Sequence, residues 1–333
     1  GPIDTFIVTC SIFMPFILTI GIVGNCAFLL VVFHIPWMRT ITNRYLTHLA
    51  VADVFFLLSS VTHNLWQFYG SNGIYNEVFL GVPGCVTLPT IADTCHLASI
   101  SLVTLVSIER YYAVCKPHLH SSCTVRTRSW LLISVSWVLS LCIALILNIP
   151  SRQELFQFCV IWPVDDRMPV LPSRFGFCQA VPKLVWVGNI VNLLQTLPYL
   201  VSFTVNAFIY CCVIHRLNRG NITQQLRKSS QRNPNTHTSK RNRVTAMLVI
   251  NGSIFFLCLA PFELISIYTV LGGFDDTGLH ESSSLRTWID ICRATAYINS
   301  AIDPILYNAI NPRYRLAFNK AFCTAFRCRK ESP

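Results

Sequence analysis

LVTLVSIERYYAVCKP, residues 102–117, places an acid and a base, Glu109 and Arg110, at the end of a stretch that is otherwise apolar. NSAIDPILY, residues 299–307, does the same with Asp303 near the end of the last apolar stretch of the chain. Working outward, seven apolar runs lie at 5–33, 43–69, 82–115, 127–149, 184–215, 242–271 and 284–308. A helix of about 20 apolar residues spans a bilayer. The reading is therefore an all-α membrane protein, a seven-transmembrane helix bundle. Charge inside such a helix is costly unless it faces a partner or water, so both polar motifs need a reason to be there. A short amphipathic segment follows at 311–322 and is expected to lie on the membrane as an eighth helix.

Composition supports this. Of 333 residues, 53% are hydrophobic and 12% charged, against about 25% charged in soluble domains. A large soluble enzyme is excluded, no Gly-rich phosphate loop is present, and no catalytic residue is expected. Gly1-Pro2 reads as a protease-cleavage remnant and is left out of the fold reasoning. The domain reading is 3–310 for the transmembrane unit and 311–333 for the amphipathic helix and cytosolic tail.

With the N-terminus outside, the inner loops and tail hold 20 Lys/Arg and the outer segments five, leaving Arg293 within a span. That asymmetry follows the positive-inside rule. The net charge of +11 then reflects attraction to anionic inner-leaflet lipid rather than to nucleic acid.

The motifs resemble those of class A (rhodopsin-like) G-protein-coupled receptors over nearly the whole chain. Gly21, Gly24 and Asn25 lie in the first helix, Leu49-Ala50-Val51-Ala52-Asp53 in the second, and Glu109-Arg110-Tyr111 in the third. Trp137 marks the fourth, Pro198, Pro261 and Pro304 lie in the fifth to seventh, and Tyr307 closes the Asp303-Pro304 motif. The resemblance implies that Arg110 is held by Glu109 at rest and meets a heterotrimeric G protein on activation. Tyr111, Tyr307 and the helix-six switch around Phe255, Leu259 and Pro261 belong to the same coupling set. It also implies a sodium ion on Asp53, Ser99, Asn299 and Asp303, with hard oxygen ligands for a hard cation; no other cofactor is expected. Cys85 is implied to bond to the second outer loop, with Cys178 the favoured partner and Cys159 the alternative. Cys323 and Cys328 sit where the family is palmitoylated. Three departures stand out: Leu259 replaces the usual Trp, Asn206 replaces the Tyr expected eight residues after Pro198, and Arg241 occupies a position where many relatives carry an acid.

The resemblance assigns the ligand pocket to His63, Trp66, Asp93, His96, Glu263, Asp290, Arg293 and Tyr297. The amine-binding Asp position is Ala92 here, with Asp93 rotated by about 100°, which disfavours a monoamine. Asp93 and Glu263 are expected to meet a cationic group and Arg293 a carboxylate or amide terminus. Two short apolar runs in the second outer loop, 155–162 and 175–181, suggest a β-hairpin lid. The chain also resembles invertebrate myosuppressin and FMRFamide receptors, vertebrate orphan receptors that sense aromatic amino acids, and the wider thyrotropin-releasing-hormone group. The implied function is a plasma-membrane receptor for an extracellular neuropeptide, with G protein and arrestin as partners. A receptor for a small aromatic metabolite is the alternative. A transporter would show internal repeats, and none is seen. An opsin needs a helix-seven Lys, and none is present.

Overall fold

The computed structural model describes residues 9–70, 81–116, 122–152, 154–159, 174–179, 185–228, 236–272 and 283–328. After a π-helical turn at Thr9–Phe13 the helices are α1 (Met14–His34), α2 (Ile41–Gly70), α3 (Gly81–Cys115), α4 (Ser122–Ser151), α5 (Val185–Lys228), α6 (Thr236–Gly272), α7 (Ser283–Ile310) and α8 (Pro312–Cys328). Strands β1 (Glu154–Cys159) and β2 (Arg174–Gln179) form an antiparallel pair between α4 and α5, with Glu154 opposite Gln179 and Cys159 opposite Arg174. This pair is the lid expected from the sequence.

Chain breaks follow local chemistry. Pro36 pushes the preceding Ile35 into an extended conformation, φ −102° and ψ 102°, which ends α1. The Thr40 hydroxyl accepts the Asn43 N–H at 3.2 Å and caps α2. The Asn311 side chain accepts the Arg313 N–H at 3.0 Å, and Pro312 starts α8 where a backbone donor is not needed.

Six helices, α1 to α6, are long and apolar enough to cross a membrane by length and composition. The seventh expected span is α7. Its 28 residues reach about 42 Å, but Arg293, Asn299, Asp303 and Asn308 dilute its apolar character. It nonetheless packs against α1, α2 and α6. The helices close into a ring, with α3 touching α2, α4, α5 and α6. Outward faces carry an apolar belt that water would not tolerate, including Phe16, Val23, Phe33, Val138, Leu139, Ile146, Leu257 and Leu264. Hydroxyls within the spans bond back to their own helix, as Thr47, Thr104 and Ser253 do.

The inner half of the core is Phe28, Leu46, Leu49, Ile100, Val103, Val106, Met247, Phe255, Phe256 and Tyr307, with Trp137 packed at its edge. The core reaches α8 through Tyr314 and Ala317. Burial holds the Tyr314 phenol above its usual range. It therefore stays protonated and donates to Asn43 Oδ1, tying α8 to α2. Arg313 stacks over Trp37 with its guanidinium carbon 5.3 Å from the ring centre.

Two glycines mark close approach. A Cβ on Gly21 would stand 2.2 Å from Leu57 Cδ1 and 3.4 Å from the Ala301 backbone, so α1 meets α2 and α7 only because the side chain is absent. A Cβ on Gly252 would stand 1.8 Å from the Tyr210 hydroxyl. Gly252→Ala should therefore displace Tyr210 and destabilise the protein by about 1–3 kcal/mol. A thermal-unfolding shift of less than a degree in detergent would contradict that packing.

Candidate functional site

The polar residues form three tiers along the bundle. The outermost is a cavity of about 400 Å³ between α2, α3, α4, α5, α6 and α7. Of the residues assigned to the ligand pocket, His63, Asp93, His96, Arg293 and Tyr297 line it. Trp66 does not; it is exposed on the outer part of α2. Glu263 is almost completely buried and reaches the cavity lining through His96, whose Nε2 lies 3.4 Å from Glu263 Oε1. The Asp290 side chain lies outside the described residues.

Asp93 differs most from expectation. Asn148 of α4 donates to its Oδ2 at 2.7 Å and Gln195 of α5 donates to its Oδ1 at 3.1 Å. Each oxygen takes one amide, so Asp93 joins three helices while its carboxylate still lines the cavity. Neither amide was singled out in the sequence, where each is an ordinary polar residue in an apolar run. Arg152 and Arg293 line the same cavity and give its wall a basic character.

Cys85, fully buried at the start of α3, is bonded to Cys178 of β2, which also lines the cavity. Cys159, the alternative partner, is exposed at the end of β1 and unpaired among the described residues. The hairpin is thereby anchored over the cavity mouth.

The middle tier contains Asp53, Ser99, Asn299 and Asp303, all buried. Asp53 lies close enough to Asp303 to feel its charge, and Ser99 and Asn299 line one small annex. Tyr307, one turn beyond Asp303, donates to its Oδ2 at 3.1 Å. Ser300 stands beside Asp53 and Asn251 beside Asp303. Asn25 donates to the Ser300 carbonyl at 2.8 Å and joins α1 to the layer. Among the described residues, Asp53 Oδ2 and Asn299 Oδ1 are buried acceptors without a hydrogen-bond donor. Buried acceptors left in this way favour a cation or other donor, and hard oxygens suit an alkali or alkaline-earth ion.

The inner tier links three side chains. Arg110 Nη2 donates to Glu109 Oε1 at 2.7 Å and to the Thr42 hydroxyl. Thr42 in turn donates to Glu109 Oε2 at 3.0 Å. Thr42 was missed in the sequence, yet a signal existed. It lies eleven residues before Asp53, and at about 100° per residue both therefore face the bundle. Arg110 Nε is buried without an acceptor among the described residues, so the guanidinium is only partly satisfied. Tyr111 sits beside it and stacks edge-on with Tyr112 at 5.8 Å.

Between the tiers, α6 holds Phe255, Phe256 and Leu259, all buried. Phe255 meets Phe256 edge-on at 5.3 Å. Leu259, in place of the usual Trp, lines a small annex of about 10 Å³ with His96, Ser99, Asn299 and Ser300. Asn206 donates to the Thr104 hydroxyl at 2.8 Å. Tyr210, a turn further on, bonds to Ser107 at 2.9 Å. Both residues tie α5 to α3. The side chains of Arg241, Cys323 and Cys328 lie outside the described residues, although α6 and α8 include their backbones.

Comparison with known proteins agrees with this architecture. The family described as 7 transmembrane receptor (rhodopsin family) matches residues 24–307. The chain is 28% identical over 311 residues to neuromedin-U receptor 2 of Mus musculus, covering 92% of this chain and 73% of that protein. It is 28% identical over 312 residues to the thyrotropin-releasing hormone receptor of Bos taurus, covering 90% and 74%. Neuromedin-U receptor 1 of Homo sapiens aligns over all of this chain and 78% of its own length, also at 28% identity. The family match spans far more than half of the chain, and it includes the Asp53, Glu109-Arg110-Tyr111 and Asp303-Pro304 positions described above. The chain belongs to the rhodopsin family of seven-transmembrane receptors and is a multi-pass membrane receptor, not an enzyme.

Proposed function

We propose that this receptor binds an extracellular neuropeptide in the outer cavity and activates a heterotrimeric G protein from its inner face, at the plasma membrane with the N-terminus outside. The observation that supports this best is the continuity of the three tiers. A basic, lidded cavity stands above a buried carboxylate layer, which stands above a partly satisfied Arg110. An agonist that binds the cytosol-open state more tightly shifts the population toward it, and the bound G protein tightens agonist binding in return. Opening frees Arg110 from Glu109 and Thr42 for the G protein, and arrestin uses the same opened face.

Peptide ligands are supported by the similarity to neuromedin-U and thyrotropin-releasing hormone receptors. The finer resemblance to myosuppressin and FMRFamide receptors rests on Asn206, Ala260-Pro261 and His96-Leu97-Ala98. Asp93, oriented by its two amides, offers a carboxylate to a cationic group of the ligand, and Arg152 and Arg293 offer donors to its acceptors. Arg293 takes a carboxylate or an amide carbonyl of the ligand. Sodium would be held by Asp53, Ser99, Asn299 and Asp303 and would supply positive charge between two carboxylates that otherwise repel. Palmitoyl groups on Cys323 and Cys328 would fasten α8 to the inner leaflet.

A small aromatic metabolite is the second reading, favoured by a cavity whose volume lies at the small end of ligand sites. Calcium and cAMP readouts in transfected cells, with amidated peptides set against free tryptophan and phenylalanine, separate the two. With an agonist in hand, Arg293→Ala should reduce potency by about tenfold or more, the loss of one charge-assisted contact, while surface expression is retained. Equal losses of potency and expression would give Arg293 a structural role instead.

A further inference from the structure

The segment of α6 around Pro261 is tied to its neighbours from three sides. From α5, the Tyr199 hydroxyl donates to the Phe256 carbonyl at 3.0 Å. From α7, the Thr295 hydroxyl donates to the Cys258 carbonyl at 2.7 Å. From α3, His96 meets Glu263 at 3.4 Å. Pro261 lies between the second and third of these ties and lacks the N–H that would complete the helix ladder. Bending is easiest there.

The third tie differs from the other two in kind. Its partners are both side chains, both ionisable and both buried. The other ties end on backbone carbonyls that any α6 sequence would present. Glu263 Oε2 has no donor among the described residues, so the carboxylate depends on His96 for its satisfaction. His96 is positioned by Phe56 of α2, whose ring lies 6.1 Å away. It is also the residue through which the ligand cavity touches this pair, because it lines both the cavity and the annex beside Leu259. A group in that cavity that moves His96 therefore removes the support of Glu263 on α6. Leu259, one turn below Glu263, has no polar atom to take over.

We propose that His96 and Glu263 form the latch that holds the outer half of α6 against α3 in the resting receptor. The latch sets basal activity, and the ligand opens it by displacing His96. The activity part of this inference rests on the G-protein reading above. The structural part does not, because it concerns only whether the two side chains hold the helices together.

The test is a double-mutant cycle on purified receptor, with His96→Gln, Glu263→Gln and the exchanged pair H96E/E263H. Three quantities are read without any ligand: thermal midpoint, basal nucleotide exchange on a purified heterotrimer, and a spin-label distance from the inner end of α3 to the inner half of α6. Labels go at Lys116 and Ile250, both exposed, through a ketone-bearing amino acid because the chain has fifteen cysteines. Each single variant should lower the midpoint by several degrees, lengthen the distance distribution, and raise basal exchange about fivefold or more. The exchanged pair should restore all three toward wild type. Additive effects, or single variants with unchanged distance and midpoint, would overturn the latch. If neither wild type nor the single variants activate a heterotrimer while midpoint and distance shift as expected, the G-protein reading fails and the latch stands; unchanged midpoint and distance overturn the latch whatever the exchange assay shows.

Discussion

Replacing Cys85 or Cys178 with serine is expected to remove most ligand binding at the cell surface, whereas Cys159→Ser leaves it intact. The disulfide closes a loop with a sequence separation of 93. In the chain-entropy account, cross-linking a loop of that length contributes about 4 to 5 kcal/mol. The loss has a local consequence too. Cys178 belongs to β2 and lines the cavity, so breaking the bond frees the hairpin from the mouth it covers. Cys159 occupies the far end of β1, opposite Arg174, and does not line the cavity. Surface labelling together with saturation binding separates lost folding from lost affinity. Equal effects of the Cys159 and Cys178 variants would contradict the pairing.

Asp93→Ala is expected to lower stability by about 1–3 kcal/mol, because Asn148 and Gln195 lose the carboxylate that joins α3 to α4 and α5. Asn148 keeps the Ala144 carbonyl as a second acceptor. Asp93→Asn should be milder, since its carbonyl still accepts from one of the two amides. The thermal midpoint of purified receptor is the measurement, read beside agonist potency. A large loss of potency at an unchanged midpoint would make Asp93 a ligand contact only.

These two positions show how far sequence reasoning reaches. The eight helices, the hairpin lid and the placement of Cys85 were legible, because each follows from a local rule: apolar length, a proline, a capping Asn, a short alternating run. Beyond the apolar runs, α5 continues to Lys228 and α6 starts as early as Thr236, because polar segments continue a helix as readily as apolar ones once the backbone bonds are formed. The seventh helix is amphipathic: Trp288, Ile291 and Ile305 are exposed, while Asn299, Ser300 and Asp303 are buried.

The candidate site divides along the same line. Asp53, Ser99, Asn299 and Asp303 were assigned to one set and are all buried. Glu109 and Arg110 are adjacent in the chain, and their pairing needed only a helix end. Thr42, Asn148, Gln195, Ser107 and Tyr210 were missed as partners. Each meets its counterpart from a different helix, at sequence separations from 55 to 103. Glu263 was assigned to the ligand and is found instead against His96, 167 residues away.

The amino-acid order alone determined how many helices this chain makes, which ends of them lie on the basic side, and where charge enters the apolar runs, since the period and length of a helix depend on neighbours within a few residues. The tertiary structure decided which acids are already satisfied and which stay exposed to a ligand. That choice depends on the rotation and close approach of whole helices, set by contacts such as Gly21 on Ala301 and Gly252 on Tyr210, and a small change in crossing would give the same side chains different partners.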